Sequence, residues 1–442
     1  MNKDFKKEDI LKTCKEKEVK FIRLFFSDIT GQMKGFSIAV DELERALEDG
    51  MGFDGSSIKG FARIDESDMV ALPDPSTFVI LPYIKENKEA AMICDILNPD
   101  RTPYEGDSRY ILKKNLEYLK EKGFTFYVGP ELEFFIFKND KTTEILDEGG
   151  YFDVTTLDAG NEVRREIILT LEEMGIKVEY SHHEVAPSQH EIDLRYTDAL
   201  TMADIVMFYR MIAKEIAVQH GVYLTFMPKP IYGVNGSGMH THQSLFLGEK
   251  NAFFDANDEY YLSDIAKKYI AGLLKHSKEI TFICNQWVNS YKRLVPGYEA
   301  PVYICWARRN RSTLIRVPMY RPGKEQSTRI EFRSPDPACN PYLAFACMVR
   351  AGIKGIEENY KLPKPLEMDV YHLTEEDRKK LKLDVLPGSL IEAIEIAEKS
   401  KLLREILGEH IYTNLITAKK IEWDEYRKRV HEYEIEKYLP IL

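Results

Sequence analysis

Two glutamates, Glu131 and Glu133, lie two residues apart in the segment 129–137, GPELEFFIF. The stretch from 124 to 137 is rich in Phe, Tyr, Ile and Val, which predicts a β-strand. Residues two apart on a strand point to the same side, so both carboxylates share one face and repel each other. We expect either a solvated strand edge, the commoner meaning of an isolated Glu-x-Glu pair, or a bound cation.

Three further glutamates and one histidine extend this pattern. Glu184 and Glu191 lie on the two arms of a predicted hairpin, HHEVAPSQHEID, where they could converge, and Glu331 lies in the strand-like segment TRIEFR. His240 closes the glycine-containing loop NGSGMH. Carboxylate oxygens with one imidazole suit hard divalent ions such as Mg²⁺ or Mn²⁺ better than zinc, and so many gathered anions would need about two ions. Each residue alone could be a surface glutamate or a hydrogen-bonded histidine.

A basic segment follows, with ten Lys and Arg residues between 292 and 333 against three glutamates. Guanidinium groups beside carboxylate-bound metals suit phosphoryl transfer, because they neutralise the moving phosphoryl group. A solvated basic face is an equal alternative. No Walker loop and no trustworthy Ser-His-Asp arrangement is present, and the pair at 182 and 183 could be a packed, hydrogen-bonded His-His pair. The arginines of this segment are Arg293, Arg308, Arg309, Arg311, Arg316, Arg321, Arg329 and Arg333.

The whole chain sets wider limits. Its 442 residues are enough for two or three domains, and the balance of 61 basic against 72 acidic residues argues against a general nucleic-acid binder. No apolar run approaches the roughly 18 residues of a membrane span, and the N-terminus lacks a signal-peptide core, so we expect a cytoplasmic protein with no membrane partner. The six cysteines form no C-x-x-C pair, which predicts reduced and mostly buried thiols.

The chemistry-bearing residues must be positioned by an α+β fold. The pattern of residues 1–103 predicts a small α+β unit, and the Pro-, Gly- and Asp-rich segment LNPDRTPYEGDS marks its end. Its expected elements are a helix over about 6–17, strands over 19–28 and 33–40, a helix that Asp41 caps and Gly50 ends, a Gly- and Ser-rich loop over 51–61, and strands near 69–72, 78–83 and 90–96.

Residues 104–442 predict one larger α+β domain. Asp107 or Ser108 should cap its first helix, and Asn340 with Pro341 should open a later one. The other expected elements are the Glu-x-Glu strand, a helix over 158–174, the hairpin, an amphipathic helix over 197–220, a strand and glycine loop, helices within 263–284, strands near 302–307, 313–317 and 328–333, and a charged, mostly helical end.

Six motifs occur in one order: GFDGSSI, G-x-E-x-EFF-F, HHEV…QHEID, NGSGMHTHQS, KRLVPGYEAP and RIEFRSPDPACNPYLAFA. That order resembles the type I glutamine synthetases over nearly the whole chain. The resemblance implies an N-terminal β-grasp domain and a catalytic domain whose curved antiparallel sheet forms a funnel. It also implies dodecamers of two stacked hexameric rings, with each active site between neighbouring subunits. The implied reaction joins ammonia to L-glutamate with ATP, giving L-glutamine, ADP and phosphate through a γ-glutamyl phosphate.

The resemblance also implies roles for individual residues. Glu133, Glu184 and Glu191 match the ligands of one Mg²⁺ or Mn²⁺ ion, and Glu131, His240 and Glu331 match those of another. Asn235, Gly236 and Arg293 match the glutamate contacts. Glu179, His242 and Ser244 match nucleotide contacts, and Arg311 and Arg316 the phosphate contacts. Arg333 would bind the transferring phosphoryl group and the γ-carboxylate. Asp54 of a neighbouring subunit would deprotonate ammonium, Tyr151 would line the ammonium pocket, and Glu299 on a flap would shield the intermediate and accept a later proton.

Departures from other members indicate the alpha branch. No insertion of the adenylylated branch fits between about 130 and 180, and the hairpin turn is short. Arg63 matches a residue of glutamine feedback inhibition, with a surface salt bridge as the alternative, and regulatory proteins are possible partners. Tyr371 aligns roughly with the adenylylated tyrosine, and Gln326 stands where relatives may carry a basic nucleotide contact. Two other functions stay open: ligation of glutamate to a larger amine, which Asp54 and Glu299 disfavour, and a non-catalytic relative, which should have lost metal ligands.

Overall fold

The computed structural model describes residues 5–56, 58, 68–308, 310–319, 322–368 and 370–442, and within them the chain forms twelve α-helices and sixteen β-strands. The N-terminal elements are α1 (Lys7–Glu16), β1 (Phe21–Ser27), β2 (Met33–Ala39), α2 (Leu43–Asp49), β3 (Met51–Asp54), β4 (Asp68–Pro73), β5 (Val79–Ile80) and β6 (Glu89–Leu97).

These strands form one mixed sheet in the order β2-β1-β6-β4-β3, with β5 also paired to β6. The central pair, β1 and β6, is parallel, while the flanking pairs are antiparallel. Its apolar side chains alternate along β1, where Ile22, Leu24 and Phe26 are buried, and pack against the inner face of α1. The sheet and its helices form the small α+β unit that the sequence predicted, in the β-grasp arrangement that the resemblance implied.

Three local predictions in this unit were wrong. Asp41 does not cap α2, because a 3₁₀ turn (Val40–Glu42) precedes that helix and Glu42 occupies the cap position without a side-chain hydrogen bond. Residues 51–54, expected in a loop, form strand β3, which pairs with β4. The strand expected over 78–83 is reduced to β5. Gly50 ends α2 as predicted, at φ +67°.

The larger unit contains the remaining elements. They are α3 (Ser108–Glu121), β7 (Phe124–Phe137), α4 (Asn161–Glu173), β8 (Val178–His183), β9 (Gln189–Leu194), β10 (Thr197–Asp198), α5 (Ala199–Gln219), β11 (Tyr223–Thr225), β12 (Met239–Leu247), β13 (Lys250–Asn251), α6 (Asp264–Cys284), α7 (Ser290–Arg293), β14 (Trp306–Ala307), β15 (Ile315–Arg316), β16 (Ile330–Phe332), α8 (Pro341–Glu357), α9 (Glu375–Lys380), α10 (Leu390–Ala397), α11 (Lys401–Arg427) and α12 (Glu432–Tyr438).

A second sheet runs in the order β14-β15-β16-β12-β7-β9-β8, with β10 and β11 on β7 and β13 on β12. All of its pairs are antiparallel except β14 with β15. Strand β7 is fourteen residues long, so it pairs with β12 on one side and with β9, β10 and β11 on the other. It is therefore the central strand of the larger unit, and it begins and ends where the sequence predicted.

Helices cover one face of this sheet. Helix α5 is buried on nearly all sides rather than amphipathic, because α4, α8 and the sheet all pack against it. The predicted caps of two other helices are confirmed: the Asp107 carboxylate accepts from Arg109 N at the start of α3, and the Asn340 side chain accepts from Tyr342 N and Leu343 N at the start of α8.

Two polar connections join the units. The turn over residues 28–32 offers its backbone carbonyls to side chains of the larger unit: Gln286 donates to Thr30 O at 2.7 Å, and Arg210 donates to Gly31 O at 2.6 Å. Asn340 donates to Ile29 O at 3.2 Å. A Cβ on Gly31, whose φ is +77°, would lie 2.7 Å from Cα of Asn340, so only glycine fits there.

The second connection is the guanidinium of Arg109 at the start of α3, which is 2% exposed. It binds Asp204 of α5 with two bonds of 2.9 Å, Asp74 at 2.7 Å and Asp95 at 2.5 Å. The last two carboxylates belong to the N-terminal unit, so one buried cation ties three segments together.

All six cysteines are buried and unpaired, which confirms the prediction of buried thiols. None of the described helices combines the length and the apolar character that a membrane crossing needs.

Candidate active site

One face of the larger sheet carries the predicted metal ligands. Strand register places Glu131 opposite His240 of β12, and Glu133 opposite Glu191 of β9. On the far side of β12, Glu331 of β16 lies opposite His242. Glu131 and Glu133 share one face of β7, as residues two apart must, and the pairing brings their neighbours to that same face.

Distances confirm that these groups lie together around His240. Its Nδ1 atom is 3.4 Å from Glu131 Oε2, 3.9 Å from Glu133 Oε1 and 4.0 Å from Glu331 Oε1. Three carboxylates from two strands thus surround one imidazole.

The β8–β9 hairpin supplies the other predicted ligands. Glu184, the residue after β8, has its Oε1 2.9 Å from Nε2 of His182, and Glu191 Oε1 is 3.7 Å from the same nitrogen. Two sets of side chains offer ligand atoms within 4.8 Å of one another: Glu131, Glu191 and His240, and His182, Glu184 and Glu191. Glu191 belongs to both sets, so the sets are adjacent.

This grouping differs from the one that the resemblance implies: His182 enters, Glu191 is shared, and Glu133 and Glu331 belong to neither set, although both lie within 4.0 Å of His240 Nδ1. The sequence left His182 open as a packed residue, although its position opposite Glu191 in the hairpin could have indicated a site role. Its neighbour His183 is a packed residue: it is fully buried, and its Nε2 lies 2.9 Å from Asp147 Oδ1. A third buried set, Asp147, His183 and His190, forms part of the hydrogen-bonded support behind the hairpin, where Arg164 lies 2.8 Å from His190 Nδ1.

The site holds an excess of buried negative charge. Burial and the charge of Glu184 raise the pKa of Glu133 well above its usual value, and burial with the charges of Asp193 and Glu131 does the same for Glu191. Burial acts to raise the pKa of Glu131 as well, but the imidazoles of His242 and His240 hold it well below its usual value. Such a site is best neutralised by cations, and its donors are oxygens with one or two imidazoles, which fits Mg²⁺ or Mn²⁺.

Only some arginines of the basic segment contact these carboxylates. Arg316 Nε is 2.8 Å from Glu331 Oε2, and Arg333 bonds the other oxygen of the same carboxylate. Arg311 lines the same cavity, where its hydrogen bond to Tyr151 raises its pKa. Arg308 does not join them, because it pairs with Glu367 at 3.1 Å. Residues 309 and 321 lie outside the described part of the chain.

The predicted glutamate contacts border this cavity, whose volume is about 710 Å³. Asn235 donates to Glu299 Oε2 at 3.2 Å, which joins the glycine loop to the predicted flap. Gly236 also lines the cavity, and a Cβ there would lie 2.3 Å from the carbonyl of Pro228. Arg293 is 3% exposed and donates to the backbone carbonyls of residues 333–335, so it supports the cavity wall.

The predicted nucleotide contacts border a second cavity of about 240 Å³ further along the same face. Glu179, His242 and Ser244 line it, and Glu131 lines both cavities. Glu179 lies at a bulge where the β8–β9 register shifts. From Tyr127 to Glu133, strand β7 spans about 20 Å. The two cavities are adjacent along it, because Glu131 and Tyr180 line both, and we refer to them together as the channel. The predicted metal ligands line its larger part.

Other predicted residues lie away from the channel or contact its edge. Asp54 lies at the end of β3, is exposed, and accepts from Ser56 N at 2.8 Å; it lines neither of the two cavities. Tyr371 lines the larger cavity and donates to Ala300 O at 3.1 Å, beside the flap. Gln326 lines the smaller cavity, and its amide donates to Glu249 O at 3.0 Å. Arg63 lies outside the described residues.

A small β-grasp unit joined to a sheet with a carboxylate- and arginine-lined channel is the architecture of a metal-dependent enzyme suited to phosphoryl transfer. Comparison with known proteins specifies the class. The glutamine synthetase β-grasp domain model matches residues 18–99, and the glutamine synthetase catalytic domain model matches residues 105–438. The chain belongs to the glutamine synthetase family.

Individual relatives agree with this assignment. The glutamine synthetase of Methanosarcina mazei is 51% identical over 447 residues, covering 100% of this chain and 99% of its own length. That of Thermus thermophilus is 49% identical over 444 residues, covering 98% and 99%. A structure of Plasmodium falciparum glutamine synthetase has a TM-score of 0.89 at 27% identity and covers 99% of this chain and 100% of its own. A GmaS/ADP complex has a TM-score of 0.89 at 29% identity, covering 98% and 99%.

Identity near one half over the full chain gives the activity: the protein forms L-glutamine from L-glutamate and ammonia with ATP, as a carbon–nitrogen ligase of nitrogen metabolism. Like its family, it acts with ATP and divalent metal ions.

Proposed function

We propose that two divalent ions, Mg²⁺ or Mn²⁺, bind in the channel of each subunit. Glu133, Glu184 and Glu191 would hold one ion, with His182 beside it, and Glu131, His240 and Glu331 would hold the other. The observation that carries this proposal is the pair of adjacent ligand sets that share Glu191, each with its ligand atoms within 4.8 Å, together with Glu133 and Glu331 at 3.9 and 4.0 Å from His240 Nδ1. When bound, the ions would supply positive charge for the phosphate oxygens and the γ-carboxylate.

The substrates would lie along the channel in the order that its lining suggests. Asn235 and Gly236 would bind the amino-acid end of glutamate, with the charge of Arg293 behind them. Glu179, His242 and Ser244 would contact ATP from the smaller cavity. Arg311, Arg316 and Arg333 would neutralise the phosphates, with Arg333 at the transferring group. Planar guanidinium forks suit this role because they bind phosphate oxygens in pairs.

We propose a reaction in two steps. The γ-carboxylate oxygen attacks the terminal phosphorus of ATP and ADP leaves, which replaces a poor oxide leaving group by phosphate. Ammonia then attacks the γ-carbon, phosphate leaves, and a proton passes to a base. Asp54 of the neighbouring subunit would take the first proton from ammonium, with Tyr151 lining its pocket. Glu299 would close over the acyl phosphate, exclude water and accept the later proton.

The first step has a direct test. With ATP, glutamate and Mg²⁺ but no ammonia, the acyl phosphate should accumulate and be reducible by borohydride to the amino alcohol, detected by mass spectrometry. Replacement of Glu133 by Gln should abolish the reduced product. A wild-type enzyme that makes glutamine but yields no reduced product would overturn the intermediate.

The assignment of Asp54 to a neighbouring subunit needs a different experiment. Asp54→Asn and Glu133→Gln variants should each be nearly inactive alone. When the two are co-expressed, random assembly pairs an intact metal site with an intact Asp54 in about a quarter of sites, so about that share of activity should return. No recovery above the separate variants would show that Asp54 does not act across subunits.

Assembly, domains and regulation complete the proposal. We propose a division at residues 103 and 104, a dodecamer of two hexameric rings, a cytoplasmic location, and membership of the alpha branch, which the short β8–β9 turn supports. Glutamine would inhibit through Arg63, and regulatory proteins are further partners. Arg63→Ala should relieve glutamine inhibition, and an unchanged inhibition curve would remove this regulatory role.

A further inference from the structure

A buried lysine lies behind the substrate loop and the flap. Lys229 stands between two prolines in the segment MPKP and is 9% exposed. The following proline restricts its backbone to extended conformations. Asn289 fixes that backbone on both sides, accepting from Lys229 N at 2.7 Å and donating to Lys229 O at 3.0 Å. The lysine is therefore a rigid anchor rather than a mobile surface residue.

The ammonium group of Lys229 contacts two separate segments at once. It donates to the carbonyl of Val234, the residue before Asn235, and it lies 3.9 Å from the ring centroid of Tyr298, the residue before Glu299. Among the residues that the structure describes, its partners are a carbonyl and an aromatic face rather than a carboxylate. The attraction between a cation and an aromatic ring is strongest when the cation is desolvated. Loss of the contact with one segment should therefore also weaken the contact with the other.

Both contacted segments enter the active site. Asn235, Tyr298 and Glu299 line the larger cavity, and Asn235 donates to Glu299 Oε2 at 3.2 Å. Glu299 has φ +56°, and Gly297, two residues before it, has φ +94°. A residue other than glycine keeps such a left-handed backbone conformation only where the surrounding structure holds it. The contacts of Lys229 thus join the two segments in addition to that hydrogen bond.

We propose that Lys229 is a positioning residue that latches the flap to the glutamate loop, and so keeps water from the acyl phosphate. This inference rests on the proposed function, because it assumes that Glu299 shields that intermediate. In this proposal Lys229 contacts neither the γ-carbon of glutamate nor the terminal phosphorus of ATP. Its loss should therefore uncouple ATP use from glutamine formation rather than simply slow both.

The test measures ADP released per glutamine formed, at saturating ammonia, in wild type and variants. Wild type should give a ratio near one. Lys229→Met, which keeps the aliphatic stem, should roughly double the ratio or more, because water captures the exposed acyl phosphate. Tyr298→Leu should do the same without touching the core, whereas Tyr298→Phe, which keeps the ring, should stay coupled. Lys250→Met, on an exposed strand end, is the matched control.

The double variant Lys229→Met with Tyr298→Leu separates a latch from two unrelated defects. If the two groups act together, the double variant should be no more uncoupled than either single variant. Independent, multiplying effects would overturn the latch, as would a Lys229→Met or Tyr298→Leu enzyme that stays coupled while the wild type yields the borohydride-reduced intermediate. A wild type that yields no such intermediate would overturn the proposed reaction and the latch with it.

Discussion

Replacing Glu191 by Gln should change stability in opposite directions with and without divalent ions. Ligand oxygens of Glu191 and Glu131 lie within 4.8 Å of each other. Two unit charges at that separation repel by about 3–4 kcal/mol at an effective dielectric constant near 20. Without metal, the wild type either keeps this repulsion or takes up a proton on folding, because the pKa of Glu191 is raised. The neutral amide avoids both costs, so the variant should be more stable than wild type by up to about 3 kcal/mol.

With metal, the order should reverse. An ion at about one hundred times its dissociation constant stabilises the folded state by about 2.7 kcal/mol per site. Wild type should gain this amount, whereas the variant, which lacks the ligand shared by both sets, should gain little. The apparent melting temperatures of the two proteins should therefore cross as Mg²⁺ is added.

The assay is thermal unfolding at one scan rate, first with chelator and then over a Mg²⁺ titration. Glu173→Gln on the exposed side of α4 is the control and should follow wild type throughout. The reasoning fails if Glu191→Gln melts below wild type in chelator, or if Mg²⁺ stabilises both proteins equally.

Three further predictions address the link between the units, pH and the substrate loop. Arg109→Met should cost about 3–5 kcal/mol of unfolding free energy in denaturant, because it leaves three carboxylates around an empty, largely buried position; a loss below about 1 kcal/mol would contradict this. Burial and the charge of Asp95 raise the pKa of Asp107 to about 7, so the folded state binds an extra proton between about pH 4 and 7, and its stability falls as pH rises through that window. Asp107→Asn should lack this contribution, and an identical pH profile for both proteins would exclude it. Gly236→Ala should reduce kcat/KM for glutamate by up to about 100-fold, because its Cβ would meet a carbonyl at 2.3 Å and shift the loop; unchanged kinetics would show that the loop tolerates the methyl group.

Local chemistry explains which elements were predictable. Strand β7 is dense in β-branched and aromatic residues, and Asp107 and Asn340 carry their own capping oxygens, so each is encoded within a few neighbours. The strands near 302–307, 313–317 and 328–333 shrink to β14, β15 and β16, because pairing at a sheet edge depends on distant partners. Asp41 was misassigned because a 3₁₀ turn ahead of a helix has the same composition as a cap.

The site shows the same division. Two-residue periodicity was enough to place Glu131 and Glu133 on one face, and motif order brought Glu184, Glu191 and His240 to it. The sharing of Glu191 between two ligand sets could not be predicted, because it depends on how three strands stagger. The bulge at Glu179 and the ion pair of Arg308 with Glu367 also depend on tertiary packing. The local sequence pattern could therefore predict neither of them.

The clamped turn over residues 28–32 has a consequence for how such chains can be recombined. Its carbonyls are held by Arg210, Gln286 and Asn340, which come from three separate segments of the larger unit. A chimera that takes only its first hundred residues from a relative would place another turn sequence against these three side chains, at a site where only glycine fits at position 31. A functional chimera would have to exchange the turn together with Arg210, Gln286 and Asn340. We therefore expect the N-terminal and the larger unit to be inherited together.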